Sequence, residues 1–245
     1  MSSPLAIVTG ASSGIGAAVT SALLEAGWRV VGISRRAASF DSERYSQIVC
    51  DLTKSDEISS VTKQIISAHG PVRALVNNAG VGYFAPHEEL SSQQIHEMVT
   101  LNLLAPMLLT RGLLRSLKET KGHLILISSF SALESSSFGA AYAATKAGLK
   151  HLGDSLFDEV RKSGVKVTTI TPDITRTPFY DDLSFAPDAD PSAAVTPECV
   201  AQSVMQVLMQ RPGTITTHVV LRPERLLLEK RPQRRGVADK KPCRE

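Results

Sequence analysis

Tyr142 and Lys146 stand four residues apart in the stretch Tyr142-Ala143-Ala144-Thr145-Lys146. On a helix that spacing puts both side chains on one face. A phenol with an ordinary pKa of about 10 is a poor acid or base at neutral pH. An ammonium beside it stabilises the phenolate and draws the pKa towards the working range, so the pair reads as a proton donor and acceptor. Two serines, Ser128 and Ser129, close the apolar run that starts at His123. A hydroxyl at such a strand end can hydrogen-bond an oxygen on which negative charge develops. Taken singly, each is an ordinary half-buried tyrosine, solvated lysine or strand-end serine; the set is not.

A second constellation lies near the N-terminus. Thr9-Gly10-Ala11-Ser12-Ser13-Gly14-Ile15-Gly16 follows an apolar run and opens a helical stretch. Gly10 suits a tight turn, Gly14 lets backbone approach a pyrophosphate, and Gly16 lets helix pack close to strand. The helix N-terminus around Ile15 offers free N–H groups and a positive dipole end to phosphates, and Ser12 and Ser13 add hydroxyls. A glycine triplet alone is an ordinary turn, but a strand before it and a helix after it mark a dinucleotide motif. An Asp or Glu ending the second strand would hold the ribose 2′-hydroxyl of NAD. The chain has Ser34 there, followed by Arg35 and Arg36. Guanidinium groups clasp a 2′-phosphate that a carboxylate would repel, so the expected cofactor is NADP(H). After the third strand, Asp51 and Leu52 are placed to meet the adenine, Asp51 as an acceptor for its amino group.

The elements that must position these residues are read from periodicity. Apolar, β-branched runs predict strands at Ala6–Thr9, Arg29–Ser34, Gln47–Cys50, Ala74–Asn77, His123–Ser128, Lys166–Thr171 and His218–Leu221. They are continuous rather than alternating, as expected of parallel strands covered on both faces. Between them lie helical patterns. Ile15, Val19, Leu23 and Ala26 share one face ahead of Gly27, and Ile58, Val61, Ile65 and Ala68 share another. Ser91 and Gln94 form a capping-box pair opening a long helix, and Thr196 with Pro197 opens a later one. Repeated strand–helix–strand units predict an α/β fold, a single-domain Rossmann-like doubly wound parallel sheet of about seven strands with helices on both faces. The domain is expected over residues 1–223, with a lid loop over about 178–196, where Pro/Asp-rich turns replace periodicity.

The 245 residues are 42% hydrophobic and 21% charged, which suits a globular chain rather than a disordered, collagen-like or membrane one. No apolar run approaches the roughly 18 residues of a spanning helix, and Pro106 interrupts one of the longest. No basic region precedes the first apolar run, so a secretory signal is not expected. Three cysteines, Cys50, Cys199 and Cys243, are odd in number and far apart, which argues against a disulfide framework and for a reducing, cytoplasmic setting. None of the six histidines has a partner at ligand spacing and no Cys-x-x-Cys occurs, so no metal is expected. The net charge of +3 is a tail property. Residues 224–245 hold eight Lys/Arg and four Asp/Glu, leaving 19 basic and 20 acidic side chains in the body. The tail reads as a frayed, solvated terminus, which makes nucleic acid and membrane poor expectations as partners.

Taken in order, these residues resemble the short-chain dehydrogenase/reductase family in its single-domain branch. The resemblance rests on the Thr9–Gly16 motif, Asn77-Asn78-Ala79-Gly80 after the fourth strand and Asn102 in the following helix. Ser129 after the fifth strand and Tyr142-x-x-x-Lys146 complete it, and it covers about residues 5 to 223. It implies an NADP(H)-dependent oxidoreductase that moves hydride between the nicotinamide and a carbonyl or alcohol substrate. Tyr142 would be the acid/base and Ser129, 13 positions before it, would stabilise the substrate oxygen; the spacing favours Ser129 over Ser128. Lys146 would also bind the nicotinamide ribose, and Asn102 would hold a water relaying protons to Lys146. Asn78, with Ala79 and Gly80, is expected at the cofactor, while Asn77 reads as structural. After the sixth strand the family shows Pro-Gly and then Thr, whereas this chain has Pro172-Asp173-Ile174-Thr175-Arg176-Thr177. Asp173 in place of glycine puts the backbone beside the nicotinamide in question. Thr177 and the Ile174 backbone are still expected at the carboxamide or phosphates. The resemblance also implies a homodimer or homotetramer through the helices of Ser91–Leu117 and Tyr142–Lys162.

A different class of function is a non-catalytic NADP(H) sensor or scaffold whose basic tail holds RNA or a partner. The set Asn102, Ser129, Tyr142 and Lys146 speaks against it, since a sensor needs only the glycine end. Pocket candidates for a substrate are Val81, Tyr83, Phe84, Phe130, Leu133, Phe138, Phe179 and Tyr180, which describe an apolar or mixed site. The lid carries Asp181, Asp182, Asp188 and Asp190 and no basic residue between Phe179 and Val195, which disfavours a strongly anionic carrier there.

Overall fold

A computed structural model describes residues 3–38 and 40–231, and the backbone of 243–244. In chain order the elements are β1 (Leu5–Thr9), α1 (Gly14–Glu25), β2 (Arg29–Ser34), β3 (Tyr45–Val49), α2 (Ser55–His69), β4 (Ala74–Asn77) and β5 (Val81–Gly82). Then come α3 (Ser92–Val99), α4 (Ala105–Thr120), β6 (His123–Ile127), α5 (Ala140–Val160) and β7 (Lys166–Pro172). The chain continues through β8 (Phe185–Pro187), α6 (Pro197–Leu208), β9 (His218–Leu221), β10 (Leu228–Lys230) and β11 (Cys243–Arg244).

Seven strands form one parallel sheet in the order β3-β2-β1-β4-β6-β7-β9. The apolar runs are continuous because both faces are covered. Ala6, Val8, Ile125 and Ile127 pack under α1 and α6, while Leu5, Ile7, Leu124 and Leu126 pack under α2, α4 and α5. Each fully buried aliphatic side chain contributes about 1.5–3 kcal/mol, so two such layers hold the strand ends rigidly in place. Ile15, Val19 and Leu23 of α1 and Ile58, Val61 and Ile65 of α2 are buried as expected. Ala26 and Ala68 are exposed: the first lies beyond the end of its helix, the second in the last turn of its own.

The expected capping box is present, with Gln94 N–H donating to Ser91 Oγ and Ser91 N–H to Gln94 Oε1. The long helix that it opens is interrupted by a π turn over Thr100–Leu104. Pro106 explains it: proline has no N–H to give the carbonyl of Asn102, its partner in a regular α-helix, so the ladder cannot run through. Thr196 caps α6 by accepting from Cys199 N–H, with Pro197 at the first helical position.

The C-terminal stretch departs from expectation. Residues 224–231 are not a frayed tail, because β10 pairs antiparallel with β8 inside the lid region, matching Glu229 to Ala186. Arg225 N–H donates to Ser192 O and Arg231 N–H to Ser184 O, so the strap is tied at both ends. Backbone hydrogen bonding to the lid replaces solvent, which composition alone does not reveal. Of the basic side chains counted in 224–245, Arg225, Lys230 and Arg231 lie in this strap, whereas Arg234, Arg235, Lys240 and Lys241 lie outside the described residues. The backbone of β11 pairs with β5.

Candidate active site

The chain leaves β1 towards β2 on one side of the sheet and reaches β4 on the other, so the crevice between β1 and β4 is a topological switch point. Thr9 ties its two walls together. Its hydroxyl accepts from the N–H groups of Asn78 and Ala79, both at 2.9 Å, and its carbonyl accepts from Asn78 Nδ2 at 2.9 Å. Packing here tolerates no side chain at residue 16. A Cβ on Gly16 would collide with the Gly10 carbonyl and stand 2.7 Å from Asn78 Nδ2. Asn78 Oδ1 is buried without a hydrogen-bond partner in the structure, at the end of β4 that Thr9 ties to the glycine turn. Asn77 is also buried and donates to Thr110 Oγ1, tying β4 to α4.

A pocket beside the crevice brings together Gly10, Ser12, Ser13, Ser34, Arg35, Arg36, Asp51, Leu52, Ala79 and Gly80. Ile33, Cys50 and Leu101 join them, three residues that the motifs did not single out. Ser34 Oγ donates to Arg36 O at 2.6 Å and accepts from Gln47 Nε2, which folds the Arg35–Arg36 turn back over the strand end. Asp51 Oδ1 accepts from both the backbone and the hydroxyl of Thr53. Partial burial raises the Asp51 pKa, but those bonds and the charges of Arg35 and Lys54 outweigh it and leave the carboxyl below its usual range. Burial and the neighbouring Glu57 push the Cys50 thiol up to about 11, so it serves as a neutral wall.

Ser129 and Tyr142 line one cleft of about 920 Å³ beside this crevice. Ser128 does not share it. It is fully buried, and its hydroxyl donates to the Lys146 carbonyl at 2.9 Å, docking α5 on β6. Ser129 Oγ accepts from Ser131 N–H at 3.3 Å at the start of a short turn. Lys146 is only 1% exposed, with its Nζ donating to Ile127 O at 3.2 Å and lying 5.7 Å from the Tyr142 ring centre. Asn102 faces it across Gly80. A Cβ at residue 80 would lie 3.3 Å from both Lys146 Nζ and Asn102 Oδ1, so glycine there is what lets the two approach. The Asn102 amide is itself fixed, accepting from Val81 N–H and donating to Val81 O and Thr145 Oγ1. The π turn thus points Asn102 into the site instead of round the helix.

Comparison with known proteins agrees with this geometry. A family model described as short chain dehydrogenase matches residues 4–186. The chain belongs to the short-chain dehydrogenase/reductase family. It is 33% identical over 246 residues to dehydrogenase/reductase SDR family member 11 of Bos taurus, covering 89% of this chain and 95% of that one. A metagenomic short-chain oxidoreductase solved in complex with NADP superposes with a TM-score of 0.75 at 32% identity, over 90% of this chain and 96% of that one. An alcohol dehydrogenase from the archaeon Thermococcus sibiricus, complexed with 5-hydroxy-NADP, gives 0.78 at 25% identity over 90% and 96%.

In this short-chain dehydrogenase/reductase the residue after Pro172 needs no glycine, because Asp173 has no positive φ. Its carboxylate accepts from Ile174 N–H at 2.8 Å and pairs with Arg222, whose guanidinium lies 4.0 Å from the Phe130 ring centre. The Ile174 N–H is therefore engaged by Asp173, and its carbonyl accepts from Val195 N–H. Ile174 lines the cleft shared by Ser129 and Tyr142, while Thr177 lies over Gly14 of the glycine turn. Of the expected pocket residues, Phe84, Phe130, Phe138, Phe179 and Tyr180 line the cleft. Val81 is core, and Tyr83 turns away to donate to Glu97. Among the lining residues that the motifs missed are Glu89, Glu134 and Phe185, and the strap adds Leu226, Leu228 and Lys230, with Arg222 just before it. The cleft thereby gains two basic residues that the acidic lid alone lacks. Their only local signal is the apolar triplet Leu226-Leu227-Leu228 inside a basic stretch.

Proposed function

We propose that this chain is an NADP(H)-dependent oxidoreductase that interconverts a carbonyl and an alcohol. The carrying observation is the meeting of Ser129 and Tyr142 in one cleft with Lys146 buried behind the tyrosine. The buried acceptor Asn78 Oδ1 and the close-packed glycine turn fit a bound dinucleotide. Ser34, where an acid would select NAD, and the arginine pair in the same pocket as Asp51 support NADP(H). The two NADP-type complexes among the relatives support the same choice.

The nicotinamide, when bound, supplies or accepts the hydride. Tyr142 gives its phenolic proton to the oxygen that gains charge, or takes it back in the oxidative direction. Ser129 donates a hydrogen bond to that oxygen. The Lys146 ammonium steadies the phenolate left behind and reaches for the ribose, and Asn102 keeps the far side of Gly80 polar for proton supply. The exposed apolar residues Val99, Leu104 and Met107 on the α3–α4 face support a homo-oligomer.

The test is a fluorescence titration with NADPH and NADH on the wild type and on Arg35→Ala with Arg36→Ala. Tight NADPH binding that collapses in the double variant while NADH binding holds is the expected result. Equal binding of both cofactors by the wild type would overturn the arginine reading. NADPH oxidation with carbonyl compounds then uses Tyr142→Phe, expected to lose about 10²–10⁴-fold in rate, as the control.

A further inference from the structure

Phe138 stands in a conformation and an exposure that the fold alone does not offset. The turn Ser136–Gly139 closes through Gly139 N–H to Ser136 O at 3.1 Å, with Phe138 at its third position and φ at 61°. Ser137, the second residue, has no positive φ. Positive φ at the third position alone marks a type II turn, which selects glycine or asparagine there. A bulky side chain in that region is disfavoured by contact between its Cβ and the backbone. The ring gains little from burial in return, because Phe138 is 63% exposed. Nor is the turn loose, since Ala85 N–H donates to the Phe138 carbonyl at 2.9 Å.

Where the ring sits suggests what it is for. Phe138 lines the same cleft as Phe84, Phe130, Phe179 and Phe185. Leu226 and Leu228 of the strap, 60% and 47% exposed, continue the apolar lining. The cleft of about 920 Å³ takes in Pro172, Asp173 and Ile174, where the nicotinamide is expected, and extends beyond them to Phe138 and the strap. Its buried charge is compensated, because Asp173 is paired with Arg222. We propose that Phe138 is a substrate-recognition residue that closes on the apolar end of a bulky aldehyde or ketone, aromatic or long-chain, whose carbonyl lies at Tyr142. This rests on the oxidoreductase reading above and adds the substrate class.

The experiment compares kcat/KM for 2-acetylnaphthalene with that for acetone in the wild type, Phe138→Gly and Phe138→Leu. Phe138→Gly relieves the turn and removes the ring, so its large-to-small ratio falls about tenfold or more while its melting temperature rises by about 2 °C. Phe138→Leu keeps apolar bulk and stays nearer the wild-type ratio. A ratio within twofold of wild type in Phe138→Gly overturns the proposal. So does a melting temperature that falls by several degrees, which would make the ring a part of the fold. Failure of the wild type to oxidise NADPH with either ketone sinks the oxidoreductase reading instead. In that case calorimetric binding of 2-acetylnaphthalene decides the role of Phe138: binding about tenfold weaker in Phe138→Gly supports it, and equal or absent binding overturns it.

Discussion

Asp173 and Arg222 join the ends of β7 and β9 through their side chains, Oδ2 to Nε at 3.2 Å, one residue beyond the last backbone pair Pro172–Leu221. The guanidinium is half exposed, so solvent screens the pair, while the carboxylate is mostly covered. A double-mutant cycle with Asp173→Ala and Arg222→Ala, read by urea unfolding, is expected to give a coupling of about 1 kcal/mol. A coupling indistinguishable from zero would mean that the strand ends are held by the backbone ladder alone.

Two truncations separate the strap from the rest of the C-terminus. A chain ending at Arg231 keeps β10 on β8, whereas one ending at Pro223 removes Leu226, Leu228 and Lys230 from the cleft. Both retain the seven-stranded sheet and its two cores, so both are expected to fold and to bind NADPH alike. The shorter chain is expected to show a KM for a bulky ketone raised about tenfold over the longer one, through lost apolar contact. Identical KM values would show that the strap covers the cleft without gripping what enters it.

His123 opens β6 at the end of the sheet away from the site and is 4% exposed, with Nδ1 lacking a partner. Burial, helped by the charges of Lys166 and Arg73, pushes its pKa down to about 4 from the ordinary 6.5. Between those values the unfolded chain takes up a proton that the folded one refuses. Stability from this group is therefore complete above about pH 6.5 and is lost as pH falls towards 4, by up to about 3 kcal/mol. Urea midpoints measured from pH 7 to 4.5 should fall less steeply for His123→Leu than for the wild type. Parallel curves would assign the acid sensitivity to carboxylates instead.

Much of the molecule was legible from local pattern. Strands such as Arg29–Ser34 and Ala74–Asn77 were bounded correctly because double-sided burial forces an unbroken apolar run. Helix starts at Ser91 and Thr196 were readable because a cap is a contact within one turn. The glycine turn and the Tyr142–Lys146 spacing are likewise short-range, so the family resemblance could rest on them. Spacing favours Ser129 over Ser128, and a one-residue difference in phase at the strand end puts Ser129 in the cleft and Ser128 under α5.

Other features depend on residues far apart in sequence meeting in space. β8 and β10 are three residues each, too short for any period, and their pairing across some forty positions exists only once the sheet has set their ends side by side. Arg222 carries no signal of its own in the sequence; β9 lying against β7 brings it to Asp173 and Phe130. Phe138 is a pocket candidate in the sequence, but only its turn shows it at a glycine position with its ring in the open. The amino-acid sequence by itself determined the parallel sheet, the glycine turn and the Tyr142–Lys146 spacing, because each is written in contacts a few residues long. Tertiary structure alone decided what the strap and Arg222 add to the cleft, because those come from long-range pairings whose cost in chain entropy is offset only after the core has formed.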